Sequence, residues 1–152
     1  MSTRKLILLA LACGLAILIA GSVQLLRIKN GESRTLGIGD STELATATVR
    51  LTSGTVVGDK VVVEVHLSVA RSASGALDRP LTGWSLLTGG QKKPVEAVGT
   101  SGGVVPSCGD VVVAPGEERD CAVAFPVLPS VKGTTYVTFG FAGSAATWLL
   151  GI

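Results

Sequence analysis

The sequence has little histidine, few aromatic residues and few charges. A single histidine stands among 152 residues, aromatic residues make up 4% and charged residues 16%. Catalytic triads and most zinc sites need histidine beside other reactive groups. No apolar stripe with helical spacing follows residue 30, which favours strands and turns over helices. We therefore expect no catalytic residue, no cofactor and no metal site, and so no enzyme.

Cationic residues are also scarce beyond the N-terminus. Nine of the thirteen Lys and Arg residues and all eleven Asp and Glu residues follow residue 29, which leaves that part of the chain with a net charge of about −2. Proteins that bind DNA or RNA present a basic patch to the phosphates. The charge balance therefore predicts no nucleic-acid partner.

The length of the chain beyond residue 29 is sufficient for one domain with one core.

The longest hydrophobic run lies at the N-terminus. It extends from Leu6 to Leu26, holds 21 residues without a charge, and is bracketed by Arg4–Lys5 on one side and by Arg27 and Lys29 on the other. At 1.5 Å per residue, a helix of this length crosses a hydrocarbon core about 30 Å thick. The pattern predicts a membrane anchor over residues 1–29 with a transmembrane helix at about 6–26, so the lipid bilayer is an expected partner.

Two other interpretations of this run stay open. A shorter apolar region ending at Ala20-Gly21-Ser22 resembles a signal peptide that is cleaved after Ser22. A lipoprotein would use Cys13, although 13 apolar-rich residues continue beyond it. Basic residues on the two sides are nearly balanced, so they indicate orientation weakly. The short basic N-terminus favours a C-terminal domain outside the membrane.

Two of the three cysteines, Cys108 and Cys121, lie in the part beyond the membrane. They flank Pro115-Gly116 almost symmetrically, so a hairpin of Asp110–Ala114 with Arg119–Val127 would bring them together. A lone cysteine pair outside the membrane is typically a disulfide, and a loop of this size contributes about 3 kcal/mol. A reactive or metal-binding dithiol is the alternative, but further ligands are lacking. We predict the disulfide, which also favours an extracytoplasmic location.

Alternating patterns follow a polar, glycine-rich stretch that we interpret as a linker over residues 30–42. The clearest strand is Val61–Val69, in which every second residue is Val or Leu. Six or seven further short strands, separated by turn residues, follow the same pattern. The sequence predicts a mainly β fold over residues 43–152, an antiparallel immunoglobulin-like β-sandwich of seven to eight strands.

Three segments carry a resemblance to a known family. The stretch Val113–Glu117 with its Pro-Gly-Glu, the stretch Val123–Pro129 and the strand around Phe139–Phe141 follow a valine-rich strand. This combination resembles immunoglobulin-like ectodomains of unknown function found on bacterial membrane-anchored proteins and lipoproteins. The resemblance covers about residues 44–150. It implies a β-sandwich exposed outside the membrane and no known reaction.

Polar clusters have an ordinary and a functional interpretation. His66 shares a strand face with Glu64 and Ser68, which indicates a solvated surface, with a weak metal or proton site as the alternative. Four carboxylates surround the cysteine hairpin and are expected to face water, with a calcium or catalytic role as the alternative. They are Asp110, Glu117, Glu118 and Asp120.

The chain ends in an apolar segment, and Trp148, Leu149 and Leu150 are its candidate interface residues. We predict a non-enzymatic accessory or binding protein, located in the cell membrane as a single-pass protein with its C-terminal domain on the extracytoplasmic side. Its expected partner is another membrane or envelope protein. The alternative is a secreted ligand-binding β-sandwich released by cleavage after Ser22.

Overall fold

The computed structural model describes residues 7, 12–15, 17–18, 35–96, 105–126 and 134–152. The chain divides into two compact units, Met1–Ser33 and Arg34–Ile152. The described residues of the first unit are helical. In the described part of the chain, no helix has the length and apolar character needed to span a bilayer. The alternative interpretation, cleavage after Ser22, concerns residues outside the described ones, as does most of the predicted span 6–26.

The second unit consists of β-strands joined by turns. Eleven strands lie within its described residues: β1 (Thr35–Leu36), β2 (Ser41–Leu44), β3 (Ala47–Val57), β4 (Lys60–Val69), β5 (Leu77–Asp78), β6 (Trp84–Thr88), β7 (Gln91–Pro94), β8 (Val112–Val113), β9 (Glu118–Pro126), β10 (Thr135–Phe141) and β11 (Ser144–Leu150).

These strands form two main sheets and one small one. The five-stranded sheet has the order β1-β11-β10-β6-β7, the four-stranded sheet has the order β2-β3-β4-β9, and β5 pairs with β8. All the pairs are antiparallel except β1 with β11, which is parallel. Buried side chains of both main sheets form one core, as in a sandwich.

The predicted valine-rich strand is confirmed as β4. Its residues Val61, Val63, Val65, Leu67 and Val69 are buried, and those between them are half-buried. β4 pairs with β3 on one side and with β9 on the other, so it occupies the centre of its sheet. Because strand side chains alternate between faces, this pattern directs one row of valines to the core.

Aromatic residues fill the part of the core against the five-stranded sheet. Trp84 stacks on Phe139 with ring centroids 4.4 Å apart, and it lies 6.1 Å from Trp148. The indole N–H of Trp148 donates to the carbonyl oxygen of Asp40 at 3.2 Å. The indole N–H of Trp84 is buried and has no acceptor in the described part of the chain. The two tryptophans therefore have different polar environments.

The predicted linker, residues 30–42, differs from the structure over its described part. Thr35–Leu36 forms β1, which pairs with Thr147 and Trp148, and β2 begins at Ser41. A strand of two residues and one of four are too short for alternation to be visible in the sequence. The β domain therefore begins before residue 43.

The strand count of seven to eight is also too low for the described residues. Three of the eleven strands have only two residues each. In addition, the alternating stretch that begins at Ala45 is interrupted, because Ala45 has φ 55° and forms the turn between β2 and β3 with Thr46. The pattern read from the sequence joins this turn to the strand that begins at Ala47.

The predicted disulfide is confirmed, but the predicted hairpin is wrong. Cys108 and Cys121 are bonded, with Cα atoms 4.9 Å apart. β8 pairs with β5 rather than with β9. Cys108 instead lies beside β9 because its amide donates to the carbonyl oxygen of Ala122, and Ser107 forms a parallel bridge with Ala122. The loop before β8, and not β8 itself, is therefore the segment that pairs with β9.

Candidate functional site

The predicted interface at the C-terminus is divided by strand alternation. Trp148 and Leu150 are 0% and 2% exposed and belong to the core, whereas Leu149 between them is 40% exposed. Consecutive residues of β11 point to opposite faces of the sheet. The prediction of Trp148 and Leu150 as interface residues is therefore corrected, and Leu149 alone of the three reaches the outer face of the five-stranded sheet.

Leu149 belongs to a row of side chains that crosses four strands. Tyr136 on β10 lies opposite Leu149 on one side and opposite Leu87 of β6 on the other. Leu87 in turn lies opposite Lys92 of β7. Directly opposite residues have Cβ atoms about 5 Å apart, so these four side chains are neighbours. Register places Tyr136 and Leu87 beside Leu149, although they are far away in sequence.

The next row of the same face is small and polar. Thr147 lies opposite Thr138, and their Oγ1 atoms are 3.0 Å apart and hydrogen-bonded. Thr138 lies opposite Ser85, which lies opposite Pro94. We call the outward residues of β11, β10, β6 and β7 the carboxylate-free face, in which Ser85 is buried. They are Ala145, Thr147, Leu149, Tyr136, Thr138, Gly140, Ser85, Leu87, Lys92 and Pro94.

Lys92 is the one formal charge on the carboxylate-free face. It is exposed and forms no ion pair with any residue that the structure describes. The face thus has a row of Leu87, Tyr136 and Leu149 with a cation at its β7 end.

The outer face of the four-stranded sheet has the opposite character. We call it the charged face, because it presents three basic and four acidic side chains. His66 Nδ1 lies 2.7 Å from Asp120 Oδ1, and His66 Nε2 lies 3.5 Å from Glu118 Oε2. The full set is Glu43, Arg50, Lys60, Glu64, His66, Glu118 and Asp120.

The sequence predicts His66 on a solvated strand, which agrees with the 35% exposure of its side chain. Pairing of β4 with β9 adds Asp120, directly opposite, as its partner. Within the described residues, no group of three or more His, Cys, Asp or Glu side chains is placed to hold a metal ion. The four predicted turn carboxylates separate, since Glu117 lies 3.5 Å from Arg119 and Asp110 is exposed in the loop before β8.

A groove of about 360 Å³ lies where the four-stranded sheet ends. It is lined by the β2–β3 turn, the end of β4 and the turn at Gly116, with Glu43, Glu118 and Arg71 among its side chains. Gly116 has φ 82°, and its amide donates to the carbonyl oxygen of Val69 at 2.8 Å. The groove is shallow and mixed in charge, so it defines no particular ligand.

Comparisons with known proteins concern the fold. No protein-family model matches the sequence, and no curated protein matches it. The yjhA protein from Bacillus subtilis is similar in structure, with a TM-score of 0.53 and 9% identity over 76% of this chain and 99% of its own. The secreted protein MPT63 from Mycobacterium tuberculosis has a TM-score of 0.50 and 11% identity, over 78% of this chain and 98% of its own. The second unit is a β-sandwich domain.

Proposed function

We propose that this protein is a non-enzymatic binding protein, anchored in the membrane by its N-terminal segment, whose extracytoplasmic domain binds another membrane or envelope protein through the carboxylate-free face. The observation that carries the proposal is the row of Leu149, Tyr136 and Leu87 on a sheet face without a carboxylate, while the charged face belongs to the opposite sheet. Both leucines of the row are exposed and Tyr136 is half-buried.

The row has the composition of an interface centre. Tyrosine is enriched at binding hot spots, and charged residues are depleted from interface cores. Leu149 and Leu87 are 40% and 38% exposed, so their apolar atoms remain available for contact. Lys92 adds a cation at one end. The partner surface that fits is therefore apolar over the row and carries a carboxylate opposite Lys92.

The uncharged N-terminal run supports the anchor. Eight residues separate Leu26 from Thr35, where β1 begins. At most about 3.5 Å per residue, this segment reaches about 30 Å. A domain on such a tether stays close to the membrane surface, so a partner within that membrane or its envelope is in reach.

Two observations support an extracytoplasmic location. The Cys108–Cys121 disulfide is of the kind that persists in oxidising compartments. MPT63, which has a similar fold, is described as a secreted protein. The strand order also supports the immunoglobulin-like class, since β3-β4-β9 facing β11-β10-β6-β7 follows the order A-B-E facing G-F-C-C′. The disulfide differs from the B–F bridge of antibody domains.

Site-specific photo-cross-linking in cells tests the proposed face. A photoreactive residue at Leu149 or Leu87 is expected to give one discrete cross-linked protein, and one at Thr48 on the charged face is expected not to. The same product should decrease at least tenfold when Tyr136→Glu is added, because a buried unpaired carboxylate opposes binding. Equal cross-linking from Thr48, or a product insensitive to Tyr136→Glu, would contradict the proposal.

The mass of the mature N-terminus tests the anchor separately. An intact N-terminus in the membrane fraction supports the anchored protein. A chain that begins at Val23 and is released from the membrane supports the alternative, a secreted ligand-binding β-sandwich. A modified Cys13 at the new N-terminus would instead identify a lipoprotein.

A further inference from the structure

The edge of the four-stranded sheet has an open segment on β3. β2 pairs only with residues 47–50 of β3, and the amide of Gly39 donates to the carbonyl oxygen of Leu51 at 2.7 Å. β3 continues to Val57, paired on its other side with β4. In the described part of the chain, no strand pairs with residues 53–57 on the side away from β4. We call residues 53–57 the open edge.

A β-bulge separates the open edge from the covered part of β3. The register with β4 shifts between Leu51 and Ser53, and the Thr52 hydroxyl donates to the carbonyl oxygen of Glu64 at 3.0 Å. A bulge bends its strand and increases the local twist. The bulge therefore marks the point where β3 leaves β2 and its edge becomes exposed.

Apart from the bulge that precedes it, the open edge has none of the common protective features of sheet edges in the described part of the chain. Its sequence, Ser-Gly-Thr-Val-Val, contains no charge and no proline, and Val56 and Val57 are 54% and 57% exposed. Proteins usually protect such edges with lysine, proline or a covering segment. The β7 edge of the other sheet has Lys92, Lys93 and Pro94, and β9 is covered by bridges from Glu96 and Ser107.

The open edge is complementary to a second copy of itself. In an antiparallel pair whose twofold axis passes through Thr55, Gly54 faces Val56 and Ser53 faces Val57, with all five residues paired. Each valine is thus opposite a small residue, and no like charges meet. The faces agree as well, since Ser53, Thr55 and Val57 lie opposite outward residues of β4, whereas Gly54 and Val56 lie opposite inward ones.

On the inward side of the open edge, Gly54 lies close to the core. A Cβ atom at Gly54 would lie 2.8 Å from Leu150 Cδ2. A larger residue at position 54 would displace the Leu150 side chain, so the core of each copy also favours the small residue that faces Val56. We infer that two copies of this chain associate through antiparallel pairing of residues 53–57, forming one continuous sheet by strand addition. This inference does not depend on the carboxylate-free face.

Disulfide trapping of the full-length protein in its membrane tests this pairing. All variants carry Cys13→Ser, so that the anchor region contributes no thiol. Thr55→Cys places a thiol on the twofold axis, with paired Cα atoms within the range that a disulfide spans. After mild oxidation, we expect at least tenfold more disulfide-linked homodimer from Thr55→Cys than from Gln91→Cys, an exposed residue on the β7 edge.

Register is tested by a mixture of two differently tagged chains. Ser53→Cys in one and Val57→Cys in the other should link to each other at least fivefold more than either links to itself. Equal linking of Thr55→Cys and Gln91→Cys, linking of Thr55→Cys to a different protein, or an absence of any linked product would each overturn the inference. Because these variants leave the carboxylate-free face unchanged, failure here is distinct from failure of the proposed function.

Discussion

Gly83 and Gly140 lie against each other where β6 begins beside β10. The amide of Gly140 donates to the carbonyl oxygen of Gly83 at 2.9 Å. A Cβ atom at Gly83 would overlap the Gly140 carbonyl oxygen and lie 2.7 Å from the Phe139 ring atom Cε2. Only glycine at position 83 permits these two segments of the chain to approach so closely. The approach places the ring of Trp84 on that of Phe139.

Gly83→Ala is therefore expected to destabilise the domain. The overlap is with backbone, which relaxes poorly, so the free energy of unfolding should fall by about 2 kcal/mol, as in overpacked cores. Gly75→Ala is the matched control because nothing lies within 4 Å of its added Cβ. Urea unfolding of the full-length chain in mild detergent, followed by far-UV circular dichroism, measures both. Equal midpoints for the two variants would refute the explanation.

The two buried tryptophans should respond differently to replacement by phenylalanine. Trp148→Phe removes the hydrogen bond to the Asp40 carbonyl, whereas Trp84→Phe removes an indole N–H that has no acceptor among the described residues. Both lose similar volume. Removing an N–H that makes a hydrogen bond lowers the free energy of unfolding more than removing one that makes none. We therefore expect Trp148→Phe to be more destabilising than Trp84→Phe by about 1 kcal/mol. The same unfolding measurement decides the order, and the reverse order would contradict the assignment.

The turn between β10 and β11 contains a strained alanine. Ala142 has φ 50°, followed by Gly143 at φ 81°. Left-handed backbone is unfavourable for residues with a Cβ, so Ala142→Gly should raise the free energy of unfolding by about 0.5–1 kcal/mol. Ala145→Gly in the neighbouring strand should lower it by a similar amount, about 0.5–1 kcal/mol. Stabilisation by both or by neither would argue against strain at position 142.

Removal of the disulfide should lower stability without abolishing the sheet pairing. Replacing Cys108 and Cys121 by serine opens a bridge between residues 13 apart, which is expected to cost about 3 kcal/mol. Cys13→Ser should leave the unfolding of the β domain unchanged. Thermal unfolding with and without reductant gives a second measurement, since only the chain with the bridge should respond to reductant. A reductant-insensitive midpoint would contradict a structural role for this bond.

Local patterns in the sequence were sufficient for some elements and insufficient for others. Val61–Val69 alternates over its full length because β4 is central and has one buried face, so its position and its face are both visible. β8 shows where prediction from local patterns fails. Val111–Val113 has the pattern of one strand of a hairpin with β9. Only two of these residues form a strand, however, and they pair with β5. Pairing choices depend on contacts between distant segments, which local alternation does not contain.

The candidate site was predictable only in part for the same reason. The apolar C-terminal segment indicates an interface near Leu149, but the phase of alternation that buries Trp148 depends on which residue of β11 meets β10. Tyr136 and Leu87 become part of the row through register alone. His66 likewise acquires Asp120 through the pairing of β4 with β9. These neighbours cannot be read from the spacing of residues in the sequence, because they depend on the register between strands.

The parallel pairing of β1 with β11 has a mechanical consequence. Thr35 and Leu36 run in the same direction as Thr147 and Trp148, so the N-terminal segment enters this pair at the opposite end from the one where the chain leaves toward Ile152. Tension between the two ends of the domain then acts along the strands, loading the hydrogen bonds together in shear instead of opening them one after another.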